Sequence, residues 1–274
     1  MKIKKKYSIG NKRTIWRLIP SGEKLLIEER DEGNKQVYFS CIEIESGKCI
    51  LKDYQLDEKF WVGVESFEKD KIFFHGYIKP DMPGHIGITV YDLTANHILW
   101  NRDNAVFLFL YENEVFAFLQ KFESREFFSF DAETGEPLKN YGENTEEINS
   151  IREKLLDEQY DKFKNYHFPE PYFAGKLPPG IQEKIERLKE NVILSGEIDY
   201  VNYNNSLLLS FHSVRDDGKL DNIFRIIEIE GGKIIFEYMV NSGISSYIPD
   251  TFFIKDNLLF LIKDKIELMV YSLI

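Results

Sequence analysis

Five of the 274 residues are histidine, and two of these, His75 and His85, fall in one stretch, His75-Gly76-Tyr77-Ile78-Lys79-Pro80-Asp81-Met82-Pro83-Gly84-His85. Imidazole and carboxylate groups can hold a metal ion or move protons near neutral pH. Established ligand pairs fall about two to five residues apart, and the His75–His85 spacing is longer, so no metal site is expected here. Polar ligand binding suits the same residues better, because His75, Tyr77, Lys79, Asp81 and His85 supply donors, acceptors and a cation. A second group, His212, Arg215 and Asp217, sits in His212-Ser213-Val214-Arg215-Asp216-Asp217. Trp16 and Trp61, at matching places 45 residues apart, add aromatic contact area. Two further carboxylates, Glu65 and Asp199, are the candidates for sugar hydrolysis, which needs a pair about 5 to 9.5 Å apart.

The sequence holds no Gly-rich phosphate loop, nucleophile elbow, His-Glu-x-x-His or cysteine cluster, so no cofactor is expected and the leading reading is non-enzymatic. Cys41 and Cys49 flank a turn at 45 to 48, where simple register sets Ile44 opposite Cys49. Cys41 then lies about 10 Å further on, beyond the roughly 7 Å that a disulfide spans. Both read as free, buried thiols suited to a reducing compartment.

Composition narrows the classes further. The chain is 43% hydrophobic, 15% aromatic and 30% charged, which excludes disorder and collagen-like structure. No apolar run reaches the roughly 18 residues of a membrane span, and the basic start Met1 to Arg13 has no apolar stretch behind it, so the expected address is the cytoplasm. A net charge of −11 argues against a nucleic-acid or anionic-membrane partner. A monomer binding a protein or a small molecule is expected.

The elements that must position these residues repeat along the chain. One local pattern recurs four times: an alternating strand, an acid, a turn with Gly or Asn four residues after the acid, then another strand. The instances are Glu43 with Gly47, Asp92 with Asn96, Asp131 with Gly135 and Glu228 with Gly232, and Ser272 aligns as a partial fifth. Each acid is expected to accept hydrogen bonds from turn amides, which is a structural role. The intervals are 49, 39, 97 and 44 residues. Removing about 50 helix-like residues from the longest leaves spacings near the roughly 40 to 45 residues of a four-stranded propeller blade.

The spacing of acid, Gly at +4 and bulky residue at +8 resembles the tryptophan-docking repeat of quinoprotein-type propellers. Asp92 to Trp100 has the Trp without the Gly, and Asp131 to Gly135 has the Gly without a Trp. The layout also resembles WD40-like repeats and an uncharacterised bacterial β-propeller family, a resemblance that implies a fold and carries no activity.

The expected fold is therefore a single all-β domain over 1–274, a five-bladed β-propeller of four-stranded antiparallel blades. Lys2 to Ser8 would supply the outer strand of the last blade and close the structure, its lysines serving as solvated edge protection. Residues 143–191 form a helical hairpin insertion between blades three and four, a lid or a docking arm. Long loops at Arg30 to Gln36, Gly76 to His85 and Ser213 to Asp221 would share one face with this insertion, and function is expected there. The alternative is a hydrolase acting on a carbohydrate or similar polar substrate in a central channel through Glu65 and Asp199.

Overall fold

The computed structural model describes residues 1–79, 82–173 and 179–274. A first strand, β1 (Ile3–Gly10), precedes a meander of β2 (Thr14–Ser21), β3 (Lys24–Asp31), β4 (Gln36–Glu43) and β5 (Cys49–Tyr54). The second meander is β6 (Val62–Glu68), β7 (Lys71–Lys79), β8 (Met82–Asp92) and β9 (His97–Arg102). The third is β10 (Ala105–Tyr111), β11 (Glu114–Gln120), β12 (Arg125–Asp131) and β13 (Pro137–Gly142). Then come α1 (Thr145–Lys162), the two-residue strands β14 (Tyr166–His167) and β15 (Glu170–Pro171), and α2 (Pro179–Asn191). The fourth meander is β16 (Leu194–Tyr203), β17 (Ser206–Val214), β18 (Leu220–Glu228) and β19 (Ile234–Ile244). In the fifth, β20 (Phe252–Lys255), β21 (Leu258–Lys263) and β22 (Glu267–Leu273) are completed by β1.

These sheets are the blades of an all-β, five-bladed β-propeller fold with a helical insertion. The pairing of β1 with β22 runs from Ile3 opposite Leu273 to Gly10 opposite Glu267, so the two chain ends share one blade. Among the described residues no helix is long and apolar enough to cross a membrane.

The chain divides into two compact units. One, Arg13–Phe163, holds blades 1 to 3 and α1, and the other holds Met1–Lys12 with Lys164–Ile274. In the first unit Leu26, Phe39 and Cys41 of blade 1 pack against Val64, Ile72 and Phe74 of blade 2. Phe73 and Val90 of blade 2 meet Leu110, Val115 and Phe130 of blade 3. Helix α1 lays Ile148 and Leu155 on Phe109, Phe116 and Phe127. Its start is capped by Asn144, whose Oδ1 accepts from the Glu147 amide at 3.2 Å. In the second unit, α2 sets Ile181, Ile185 and Leu188 against Leu207, Leu209 and Phe211, while Leu208 and Phe224 of blade 4 pack with Phe252, Leu259 and Leu261 of blade 5. Between the helices the chain adds β14 to the edge of β20 and β15 to the edge of β16.

Two of the recurring acids, Asp92 and Asp131, pin their turns through backbone amides, while Glu43 accepts from the Ser46 hydroxyl. Asp92 Oδ1 accepts from the amides of Thr94 and Ala95 at 2.7 Å each, and Asp131 Oδ1 accepts from those of Glu133 and Thr134 at 3.0 and 2.8 Å. Gly47, Asn96, Gly135 and Gly232 all have positive φ, between 59° and 71°, the conformation glycine and asparagine tolerate.

Three expectations need correction. The stretch Gly76 to His85 is mostly paired strand, with Tyr77 opposite His85 and Lys79 opposite Met82, whereas Arg30 to Gln36 and Ser213 to Asp221 are turns in which only the end residues pair, Asp31 with Gln36 and Val214 with Leu220. Gly76, Pro83 and Gly84 suggest a loop by composition, but β7 and β8 run on through them. The second correction concerns the thiols. The turn spans 44 to 47, with the Glu43 amide donating to the Lys48 carbonyl at 2.9 Å, so Cys49 lies opposite Ile42 rather than Ile44; Cys49 is exposed and Cys41 buried, both free. Burial pushes the Cys41 thiol up to about 12. Thirdly, Trp16 lies within β2 whereas Trp61 precedes β6, so the two tryptophans do not occupy matching places.

Candidate functional site

Blade 2 builds a polar cluster from its first three strands. Strands β6 and β7 are joined by Lys69 and Asp70, both at positive φ (49° and 64°), the geometry that a tight two-residue hairpin demands. Counting from this turn, the fifth residue of β7 is His75, opposite Gly63 of β6. The register of β6 slips between Val64 and Ser66, leaving Glu65 as the extra residue of a bulge. Bulges re-aim side chains next to sites. Strand β8 brings in His85 beside Tyr77.

Three side chains converge. Glu65 Oε1 accepts a hydrogen bond from His85 Nδ1 at 2.8 Å and lies 3.1 Å from His75 Nδ1. The two imidazoles are stacked, with centroids 3.5 Å apart and planes 10° from parallel. Tyr77 stands edge-on to both rings, at 5.2 and 5.4 Å, and Trp61 stands edge-on to Tyr77. The His75 side chain is only 2% exposed, whereas that of His85 is 38% exposed. Despite its burial, His75 has no hydrogen-bond partner at either ring nitrogen: the approach to Glu65 is close but badly angled. Burial by itself would push the Glu65 carboxyl up, but its contacts with His75 and His85 outweigh that and hold it below the ordinary carboxylate range.

Gly63 makes room for this arrangement. A Cβ at that position would lie 2.8 Å from His75 Nε2 and 3.6 Å from an Arg17 guanidinium nitrogen. Arg17 opens a second network that joins blade 1 to blade 2. It pairs with Glu28 at 2.9 Å and donates to the Val64 carbonyl at 2.7 Å. Arg30 also pairs with Glu28, at 2.8 Å, and donates to the Val62 carbonyl at 3.1 Å. Its guanidinium lies over the Trp16 ring at 4.9 Å.

Of the residues singled out in the sequence, the structure brings His75, Tyr77, His85 and Trp61 together with Glu65, until now a candidate for different chemistry. Trp16 is 54% exposed and lines blade 1 next to Arg30. Asp81 lies outside the described residues, and for Lys79 only the backbone is described, paired with Met82. His212, Arg215 and Asp217 belong to blade 4, in the other unit. His212 is buried, and its Nε2 accepts from the Ile248 amide at 3.3 Å. Arg215 is engaged by Asp217 and Asp221, each at 3.3 Å. Asp199, also in that unit, has its carboxyl pushed up by burial and by Asp250 and Glu197.

Sequence reasoning missed Gly63, Arg17 and Glu28. A glycine within an otherwise branched and aromatic strand run, Trp61-Val62-Gly63-Val64, was the available signal of close approach.

Residues 20–100, which cover blade 2 almost entirely, match a family model described as a domain of unknown function, DUF4905. No curated protein matches the chain. Among solved structures it is similar to KlHsv2 with loop 6CD replaced by a Gly-Ser linker, at 8% identity over 92% of this chain and 75% of that one, with a TM-score of 0.30. It is also similar to the β-propeller domain of the Trilobed protease from Pyrococcus furiosus, at 10% identity over 92% and 78%, TM-score 0.32. A third is the Dos1 propeller, at 10% identity over 94% and 68%, TM-score 0.33.

Proposed function

We propose that this chain is a non-enzymatic binding propeller that takes a small polar ligand, or a polar group of a protein partner, at the Glu65–His75–His85 cluster of blade 2. One observation carries this reading: His75 is buried, its Nε2 has no hydrogen-bond partner, and its Nδ1 meets Glu65 at 3.1 Å without a well-directed hydrogen bond. Folding leaves a buried polar group unsatisfied only at a cost of about 1–3 kcal/mol, and such groups cluster where a ligand completes them. The half-exposed His85 gives the site an opening to solvent. The hydrolase alternative assigns Glu65 and Asp199 to one substrate, but Glu65 is engaged by two histidines instead. The acidic net charge favours partners other than nucleic acid or anionic membrane, and two free cysteines suit a cytoplasmic setting.

A thermal-shift panel of organic acids, sugars, nucleotides and divalent metal salts on the full chain tests the reading. A ligand of this site at 100 times its Kd adds about 2.7 kcal/mol of stability, and the shift is expected to vanish in His85→Ala. A blank across every class, or a shift that His85→Ala retains, contradicts it.

A further inference from the structure

The geometry points to a divalent transition-metal site, of the kind zinc occupies, formed by Glu65, His75 and His85. This rests on the reading that the blade 2 cluster is a ligand site and names the class of ligand. The argument from spacing that disfavoured a metal assumed a loop. With β7 and β8 paired, residues ten apart in sequence become neighbours across a hairpin.

The donor atoms of the three side chains all lie within 4.8 Å of one another. Zinc ligands stand about 2.0–2.2 Å from the metal, so donors at the corners of a tetrahedron are about 3.4 Å apart. The observed separations from Glu65 Oε1, 2.8 Å to His85 and 3.1 Å to His75, need to open by only a few tenths of an ångström. Seating the ion also requires the stacked rings to splay. His85, on the solvent side, has the freedom to turn, while His75 is held by its burial and by Tyr77.

The donor chemistry selects the metal. Two imidazoles and one carboxylate suit zinc and its neighbours in the first transition row. Calcium and magnesium prefer all-oxygen shells. The charges also agree. Glu65 supplies the anionic donor, and the nearby Arg17 is turned to Glu28, which it shares with Arg30. Three protein donors leave a fourth tetrahedral position for water or a ligand group, and the partly exposed His85 opens the cluster to solvent.

Calorimetric titration of the chelator-treated full chain with zinc chloride tests the assignment, supported by cobalt(II) absorption as a report on coordination. One ion per chain is expected, with no binding of calcium or magnesium chloride. Glu65→Gln and His85→Ala should each weaken zinc binding at least tenfold while the far-ultraviolet circular dichroism stays that of the parent. His85 is the safer variant because its side chain is partly exposed. Absence of zinc binding by the parent, or zinc binding that His85→Ala leaves intact, overturns the metal site. If zinc fails but an organic acid, sugar or nucleotide gives a melting shift lost in His85→Ala, the metal falls and the ligand site stands. If no compound of either kind binds, both fall.

Discussion

Blades 2 and 4 place a polar residue at the same point, the fifth position of the second strand, and surround it differently. In blade 4 this residue is Ser210, whose hydroxyl meets Thr251 Oγ1 at 2.9 Å and accepts from Asn222 at 3.0 Å. In blade 2 it is His75, just as buried and without a hydrogen bond at either nitrogen. Blade 1 supplies a third version, Glu28, which two arginines neutralise. Blade 3 dispenses with polarity there and uses Phe118. The fold therefore does not demand a polar group at this position. Where one serves structure, its partners are present within the protein; at His75 they are missing, and the neighbours offered are a carboxylate and a second imidazole.

Three substitutions or titrations sharpen that comparison. The largest effect is expected at Glu28. Glu28→Gln strips the charge that neutralises Arg30, and breaking a buried pair from one side costs about 3–5 kcal/mol; urea unfolding should show the loss. A cost near zero would mean that the Arg17–Glu28–Arg30 network is not structural. Next comes Ser210→Ala, which leaves the Asn222 and Thr251 groups short of a partner. A loss of about 1–3 kcal/mol is expected, and a neutral result would erase the distinction between blades 4 and 2.

The smallest effect concerns His212, the buried histidine of blade 4. Burial alone lowers its pKa from the ordinary 6.5. Its folded pKa thus lies below the unfolded one, so the unfolded chain binds the proton first as the solution is acidified. The contribution is fully present above pH 6.5 and declines as the pH falls from there toward the folded value, by at most about 1.4 kcal/mol per pH unit. His212→Gln should remove that slope from a plot of stability against pH, and an unchanged slope would assign it to other groups.

The repeat was readable because its signals are local. An acid followed four residues later by Gly or Asn is a turn by short-range geometry, and Asp92 and Asp131 hydrogen-bond as that geometry requires. The first two strands of each blade also followed from alternation around short polar turns. The site was only half readable. His75, Tyr77, His85 and Glu65 each stood out by residue type, yet their meeting depends on a bulge at Glu65 and on a hairpin that continues through Gly76 and Gly84. Neither leaves a mark in residue spacing, since bulge position is decided by packing across the sheet. Cys49 was misplaced for a different reason, a turn that closes between Glu43 and Lys48 rather than between Ile44 and Cys49.

The most direct test of the claim that His75 serves a ligand rather than the fold is His75→Phe, the residue type that blade 3 uses at this position. Because neither His75 nitrogen makes a well-directed hydrogen bond and Glu65 keeps its bond to His85, an apolar ring of similar shape should hold stability within about 1.5 kcal/mol of the parent, the range of volume-conserving core changes. Zinc binding should disappear in the same sample. A variant that unfolds several molar units of urea earlier, or one that still binds one zinc ion per chain, would contradict the account.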